Sequence, residues 1–600
     1  MAILSKKQMT EEDIKLNYIT PAIIQKGWSE HITMETKVKF TAGRINIKGN
    51  IYVRSTPKYA DYVLYFTSEK PLAIVEAKDN NHMVSYGLQQ AKEYAVMMDI
   101  PFAYSSNGDA FYEYDFLTGE EQIIELHNFP TREELFERYL TETNGGKGAT
   151  EKEKEIISQP YYSSQNTFAP RYYQRNAVNR TVEAIARDQK RLLLVMATGT
   201  GKTYTAFQIV YRLLRAGMKK RVLYLADRNI LVDQSIEQDF QPLKKTIYKA
   251  DFSKADCLNK IRSHEITFAL YQQMVGLDDI EHFRQIPEGY FDLVIVDECH
   301  RGSAKKDSNW RRILEYFADA TQIGMTATPK ESMYVSNIDY FGEPVYTYSL
   351  KQGIEDGFLA PFKVINITTN IGEGWRPYKG QLDIYGNEIE DRTYNNSDYD
   401  YPNGVIIQDR IMEVANEITT YLKSTDRMQK TIVFCPTEDA AERMCRALVK
   451  LNGDMCKKNP DYCVRITGSD IYGKSKLKYF ISTGSDYPVI ATTSELLSTG
   501  VDCKMTKLIV LDKTVDSMTS FKQIIGRGTR IKEEFGKTYF VVMDFRNVTR
   551  LFSDPDWDGP IEQNEGFIHS NGSVSKPANG SGNIPPNHPV EIPIVDRNGC

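Results

Sequence analysis

The stretch Ala197-Thr198-Gly199-Thr200-Gly201-Lys202-Thr203 follows the apolar run Leu192-Leu193-Leu194-Val195-Met196 and precedes residues with helical spacing. A strand, a glycine loop and a helix start, in that order, form the context that a phosphate-binding loop requires. Backbone N–H groups of such a loop point inward and cradle phosphate oxygens. Lys202 can reach the β- and γ-phosphates, and the Thr203 hydroxyl can sit on Mg²⁺. Thr198, Gly199, Thr200, Gly201, Lys202 and Thr203 are therefore expected to bind ATP. The residue at the first position of the usual glycine pattern is Met196.

Six hundred residues exceed one domain, and a length prior gives about four. With 41% hydrophobic and 26% charged residues, the composition is that of a globular protein. No apolar run approaches the roughly 20 residues of a membrane span. The first ten residues hold no hydrophobic signal core. The expectation is a cytoplasmic protein without a membrane partner. The eight cysteines are scattered with no Cys-x-x-Cys pair, so neither a disulfide framework nor a zinc site is indicated. A net charge of −6 argues against a globally basic nucleic-acid binder, though not against a local basic track.

Beyond the loop, apolar strands alternate with helical segments, as in a parallel sheet covered on both faces. Asp292-Leu293-Val294-Ile295-Val296 leads into Asp297-Glu298-Cys299-His300 at a strand's carboxyl end, where α/β sheets place ligands. Asp297 can bind the Mg²⁺ held by Thr203, and Glu298 can position the water that attacks the γ-phosphate. Residues 371 to 404 break the alternation and read as an insertion or long loop. A second α/β set follows, with strands at Lys430–Cys435 and Leu508–Asp512. Gln523-Ile524-Ile525-Gly526-Arg527-Gly528-Thr529-Arg530 opens or sits on a helix, where Arg527 and Arg530, three apart, would share a face. They could stabilise charge on a γ-phosphate as arginine fingers do, or clamp nucleic-acid phosphates.

The amino-terminal part offers a second chemistry. Thr10-Glu11-Glu12-Asp13 reads as a capped helix start, with Pro21 as a kink or break further on. Asp61–Phe66 and Leu72–Lys78 read as two strands joined by a turn near Glu69. Glu76 and Lys78 then share a strand face, and Asp61 lies level with residues 76 to 78. Two carboxylates can hold Mg²⁺, and a lysine beside them can orient or deprotonate an attacking water. Taken alone, Glu-x-Lys reads more simply as a solvated strand end with a surface ion pair. Gln90 and Tyr94 are four apart on a helix and share a face.

Asp61 with Glu76-Ala77-Lys78 resembles the core of the PD-(D/E)XK nuclease superfamily, with Ala60 standing where Pro is expected. Gln90 to Tyr94 resembles the Gln-x-x-x-Tyr motif of one of its branches. Glu11 matches an acidic residue of that family's first helix. Ala-x-x-Gly-x-Gly-Lys-Thr, Asp297 to His300, Thr326 to Pro329, Thr499 to Asp502 and Gln523 to Arg530 resemble, in order, the motifs of superfamily 2 motors. The Thr326 to Pro329 motif links nucleotide state to lobe closure in such motors, and Gln174 stands where they read adenine.

A Glu-x-Lys nuclease fused upstream of such a motor resembles the restriction subunit of type I restriction–modification enzymes. The resemblance implies an α/β chain. A PD-(D/E)XK domain at 1–145 and a linker at 146–169 precede RecA-like lobes at 170–350 and 351–550. A tail at 551–600 would lead to a missing helical domain. It also implies an ATP- and Mg²⁺-dependent translocase on double-stranded DNA that cuts away from its recognition site. Modification and specificity subunits are the implied partners, with S-adenosylmethionine entering only through the modification subunit. The alternatives are a superfamily 2 helicase, a type III-like restriction motor, or a non-nuclease DNA-stimulated ATPase switch.

Overall fold

The computed structural model describes residues 5–552 and 562–563, apart from 49–50, 149, 165–168, 228, 277–279, 300–308, 328–336, 373, 400–403, 499–500 and 516. Contacts divide the chain into two units, residues 1–44 with 54–358, and residues 45–53 with 359–600. Among the described residues no helix is long and apolar enough to cross a membrane.

In the first unit, Thr10 caps α1 (Glu11–Ile14), its hydroxyl accepting from the Asp13 N–H at 3.2 Å while the Asp13 carboxylate accepts from the Thr10 N–H at 2.9 Å. A π-helical turn, Lys15–Ile19, carries the helix into α2 (Thr20–Gln25). Pro21 does not end the helix, which runs on to Gln25; the π-helical turn Lys15–Ile19 lies immediately before it, where the proline can give no N–H to the preceding turn.

The next strands are β1 (Met34–Lys39), the two-stranded pair β2 (Ile45–Lys48) and β3 (Ile51–Arg54), β4 (Tyr59–Thr67) and β5 (Lys70–Ala77). They are followed by α3 (Leu88–Met98), β6 (Phe102–Ser106), β7 (Ala110–Asp115), β8 (Glu121–Glu125) and α4 (Arg132–Thr143). The sheet order is β1-β4-β5-β6-β7-β8, and the β5–β6 pair is parallel because α3 crosses between them. β5 is buried along its whole length, so its apolar residues face two cores. Tyr62, Leu64, Val75 and Ala77 pack with Trp28 and Phe111 on one side; Val63, Tyr65 and Ile74 pack with Ala91 and Ala95 of α3 on the other.

The segment 146–169, expected to be a linker, contains α5 (Glu151–Ile157), capped by Thr150. It rests on α6 (Tyr172–Ala186), and the fully buried Arg212 holds the Ile156 and Ile157 carbonyls at 3.1 and 3.0 Å. Local composition reads as flexible, but a buried guanidinium from a distant helix ties the segment down.

A seven-stranded parallel sheet contains β9 (Arg191–Met196), β10 (Val222–Ala226), β11 (Ile247–Lys249), β12 (Ile266–Leu270), β13 (Leu293–Asp297), β14 (Thr321–Thr326) and β15 (Pro344–Tyr348). The order is β11-β12-β10-β13-β14-β9-β15 and every pairing is parallel. The glycine loop joins β9 to α7 (Lys202–Arg215).

In the second unit, β16 (Phe362–Asn366), β17 (Lys430–Phe434), β18 (Cys463–Arg465), β19 (Ile490–Thr493), β20 (Thr506–Leu511), β21 (Phe540–Asp544) and β22 (Glu562–Gln563) form a sheet in the order β18-β19-β17-β20-β21-β16-β22. The 371–404 insertion adds no strand to that sheet among its described residues. It gathers a small apolar cluster of its own around Ile389, Tyr394 and Tyr399.

Candidate active sites

The hairpin register sets Tyr62 opposite Val75, which brings Asp61 beside Glu76. The Asp61 N–H lies 3.4 Å from Glu76 Oε1, and Asp61 Oδ2 accepts the Ala77 N–H at 2.9 Å. Lys78 Nζ is 4.0 Å from Glu76 Oε2 and 4.0 Å from Glu11 Oε2. The cluster is therefore assembled from α1 and both strands of the hairpin. Glu76 is only 1% exposed. Burial, with the Asp61 charge adding to it, pushes its pKa up to about 8, while Lys78 pulls it down. Gln90 Nε2 donates to the Tyr94 hydroxyl at 3.2 Å across one turn of α3. The Tyr94 phenol is raised by burial, against that hydrogen bond, with Glu76 and Asp61 contributing. Gly87, at the start of α3, is the close-approach point: an added Cβ would lie 3.3 Å from Glu76 Cβ and 2.9 Å from Ser105 Oγ.

Sequence reasoning missed Lys15. Its ammonium lies 2.5 Å from Asp61 Oδ1. Read locally, Lys15 with Glu11 and Glu12 is an ordinary surface set three and four apart. Only the placement of β4 turns it inward.

Mg²⁺ typically takes one or two protein carboxylates and completes its octahedron with water. Asp61 and Glu76, adjacent and partly desolvated, suit that role. Among the described residues no group of three or more Asp, Glu, His or Cys side chains forms a protein-only cage.

At the glycine loop, Gly199 and Gly201 have φ of +93° and +86°. The positive φ is what favours glycine at 201, and a Cβ there would also lie 2.5 Å from Gln174 Nε2, so that side chain would have to shift. Gln174 itself binds the loop, donating to the Thr200 carbonyl at 2.9 Å and accepting the Arg171 N–H at 3.0 Å. Thr200 is buried and donates to the Ala197 carbonyl at 2.7 Å; Thr198 and Thr203 are half-buried. Lys202 Nζ lies 3.3 Å from Glu298 Oε1. Asp297 is buried, accepting from Tyr224 Oη at 3.1 Å and from the Glu298 N–H at 3.0 Å. Burial, then the Glu298 charge, pushes Asp297 up to about 6. A buried carboxylate so raised, beside a lysine and a helix N-terminus, suits a Mg²⁺–nucleotide. His300, Thr328, Pro329, Thr499 and Gly500 lie outside the described residues.

The arginine pair does not share a helix face. The helix Met518–Ile525 ends at Gly526; Arg527 follows in a turn and Arg530 lies beyond it. Gly526 and Gly528 break the helical run that spacing alone suggests. Arg527 is buried, with Nη1 donating to the Val501 carbonyl; Arg530 Nε donates to Asp502 Oδ1 at 2.9 Å. Both thus fasten the Val501–Asp502 segment.

Two family models match, "Type I restriction enzyme R protein N terminus" at residues 30–130 and "Type III restriction enzyme, res subunit" at 167–331. The type I restriction enzyme EcoAI endonuclease subunit of Escherichia coli is 49% identical over 569 residues, covering 94% of this chain and 69% of that protein. The EcoKI endonuclease subunit of E. coli strain K12 is 29% identical, covering 84% of this chain and 48% of that protein. The solved fragment of an HsdR subunit of a type I restriction enzyme from Vibrio vulnificus YJ016 is 37% identical, with a TM-score of 0.76, covering 94% of this chain and 99% of that one.

Proposed function

From the premise that the chain belongs to the family of type I restriction enzyme endonuclease subunits, we propose that it hydrolyses ATP to translocate double-stranded DNA and cuts that DNA away from the recognition site. The modification and specificity subunits of the same system would be its partners, the former alone using S-adenosylmethionine. What carries the reading is that Asp61, Glu76 and Lys78 converge in the same unit that holds the Lys202 loop beside Asp297 and Glu298.

In the nuclease centre, Asp61 and Glu76 would hold Mg²⁺, which supplies Lewis-acid stabilisation of the attacked phosphate. Lys78 would orient or deprotonate the attacking water, and Gln90 and Tyr94 would position the strand being cut. In the motor, the N–H groups of Thr198 to Thr203 would cradle the phosphates, with Lys202 leaving Glu298 for the β- and γ-phosphates. Glu298, so released, would orient the hydrolytic water, with Thr203 and Asp297 at Mg²⁺ and Gln174 at adenine. Arg527 and Arg530 are assigned a part in hydrolysis from their place in the motif order. A type III-like motor is the second reading, favoured only by the family model over 167–331.

The test is ATPase activity with and without linear duplex DNA, followed by reconstitution with candidate partner subunits. Lys78→Ala should lower DNA cleavage by about 10²- to 10⁴-fold while DNA-stimulated ATPase persists. Unchanged cleavage would remove the nuclease assignment. Lys202→Ala should abolish ATPase and, with it, translocation-dependent cleavage; persistent hydrolysis would refute the loop assignment. A strand-displacement assay separates a helicase from a translocase.

A further inference from the structure

Resting on the reading of Asp61 and Glu76 as the metal-holding pair, we propose that Lys15 is a built-in counter-ion of the nuclease centre that competes with the divalent cation for Asp61. The Lys15 ammonium lies 2.5 Å from Asp61 Oδ1, 3.4 Å from Glu12 Oε1 and 3.5 Å from Glu11 Oε1. Its side chain is 9% exposed, so this is not a surface pair screened by solvent. Asp61 Oδ2 accepts the Ala77 N–H and Oδ1 takes the Lys15 ammonium, so a metal ion at Asp61 would have to share the carboxylate with Lys15.

The backbone provides an independent sign. Lys15 opens the π-helical turn Lys15–Ile19, a rare conformation frequently found at functional sites. Ile14 and Ile19 both enter the core around Trp28 and Tyr62. In an α-helix residues five apart lie roughly 140° apart round the axis, so both could not face one core. The wider turn brings the two isoleucines to the same side and leaves Lys15 aimed at Asp61. The side chain is thus placed by a local distortion rather than left to a flexible surface rotamer.

Two cations cannot share Asp61 without mutual repulsion. Without metal, Lys15 offsets the crowding of Glu11, Glu12, Asp61 and Glu76. With metal, it must yield Asp61. The centre then fills at a higher metal concentration than its carboxylates alone would set, and any displacement of α1 becomes a handle on cleavage.

The experiment compares the full chain with its Lys15→Met and Lys15→Arg variants, free of nucleotide. Calorimetric Mn²⁺ titration is combined with thermal melting in EDTA and in Mg²⁺. Asp61→Ala defines the share of binding that belongs to this centre. Lys15→Met should bind Mn²⁺ there about tenfold more tightly. It should melt lower in EDTA and show a larger metal-induced rise in Tm, with Lys15→Arg close to the parent. A merely structural lysine would lower both melting points alike and leave the affinity unchanged. Equal or weaker metal affinity in Lys15→Met overturns the inference while leaving the metal-binding reading intact. Metal binding that is unaffected by Asp61→Ala overturns both.

Discussion

Lys537 is wholly buried in the second unit and donates to the Lys504 carbonyl at 3.0 Å. Burial pushes its pKa down to about 7, against about 10.4 for an unfolded lysine. Between those values the unfolded chain binds the proton and the folded chain does not, so stability rises with pH across that window. The contribution is complete above the unfolded value and is lost as pH falls through the folded one. Urea unfolding followed at pH 7 and pH 9 should show the parent gaining stability at the higher pH. Lys537→Met should reduce that gain; an unchanged difference between the two pH values would refute the assignment. Asp512, also buried, shows the other solution to a buried charge. It lies between Arg410 at 2.7 Å and Arg546 at 3.2 Å, and the arginines hold its pKa below the usual range despite burial.

Among the elements, α6 has contacts on both sides. Its first turn carries Gln174, which holds the glycine loop. Further along, Asn176 Nδ2 donates to the Met97 carbonyl at the end of α3 at 2.9 Å, and Asn179 Nδ2 donates to the Glu69 carbonyl in the β4–β5 turn at 2.9 Å. Arg180 pairs with Asp99, with Nη2 2.6 Å from Oδ1. Glu183 pairs with Lys70 at 2.7 Å and accepts the Tyr139 hydroxyl. The last two pairs differ in weight. Arg180–Asp99 is bidentate but half-exposed, so solvent screening keeps it to about 1 kcal/mol. Lys70 and Glu183 are both buried, so removing one partner strands the other and costs about 3–5 kcal/mol. Glu183→Ala should therefore lower the denaturation midpoint of the first unit far more than Arg180→Ala does. Equal effects would show that the Lys70 charge finds another partner.

At the scale of the whole molecule, the Asp61 hairpin and the parallel sheet of β9 to β15 share one unit, fastened through α6 and α5. Ligand binding stabilises whatever unfolds cooperatively with the site, by about 2.7 kcal/mol at a hundredfold excess over Kd. A non-hydrolysable ATP analogue should therefore slow hydrogen exchange in β5, Leu72 to Ala77, as well as around Lys202. Protection confined to the glycine loop and its sheet would mean that the part holding the Asp61 hairpin opens independently.

Much of this was legible in the residues. The strand–loop–helix around Lys202, the strand ending at Asp297, the hairpin turn near Glu69 and the Gln90–Tyr94 helix face each follow from turn chemistry and from periods of 2 and 3.6. Those are short-range rules, and they hold wherever the chain is placed. The inward turn of Lys15, the burial of α5 in a segment of linker-like composition and the seam between Lys70 and Glu183 join residues up to 113 apart in the chain. Such pairings depend on which elements pack together and in what register, and no window of neighbouring residues contains that information. The helix end before Arg527 is the intermediate case: Gly526 and Gly528 announce it, but spacing alone suggested a continuous face. The residues by themselves determined which chemistries the chain carries and in what order. Only tertiary packing decided that Lys15 sits on Asp61 and that the Asp61 hairpin and the β9 to β15 sheet share one compact unit, because both follow from desolvated contacts between distant segments.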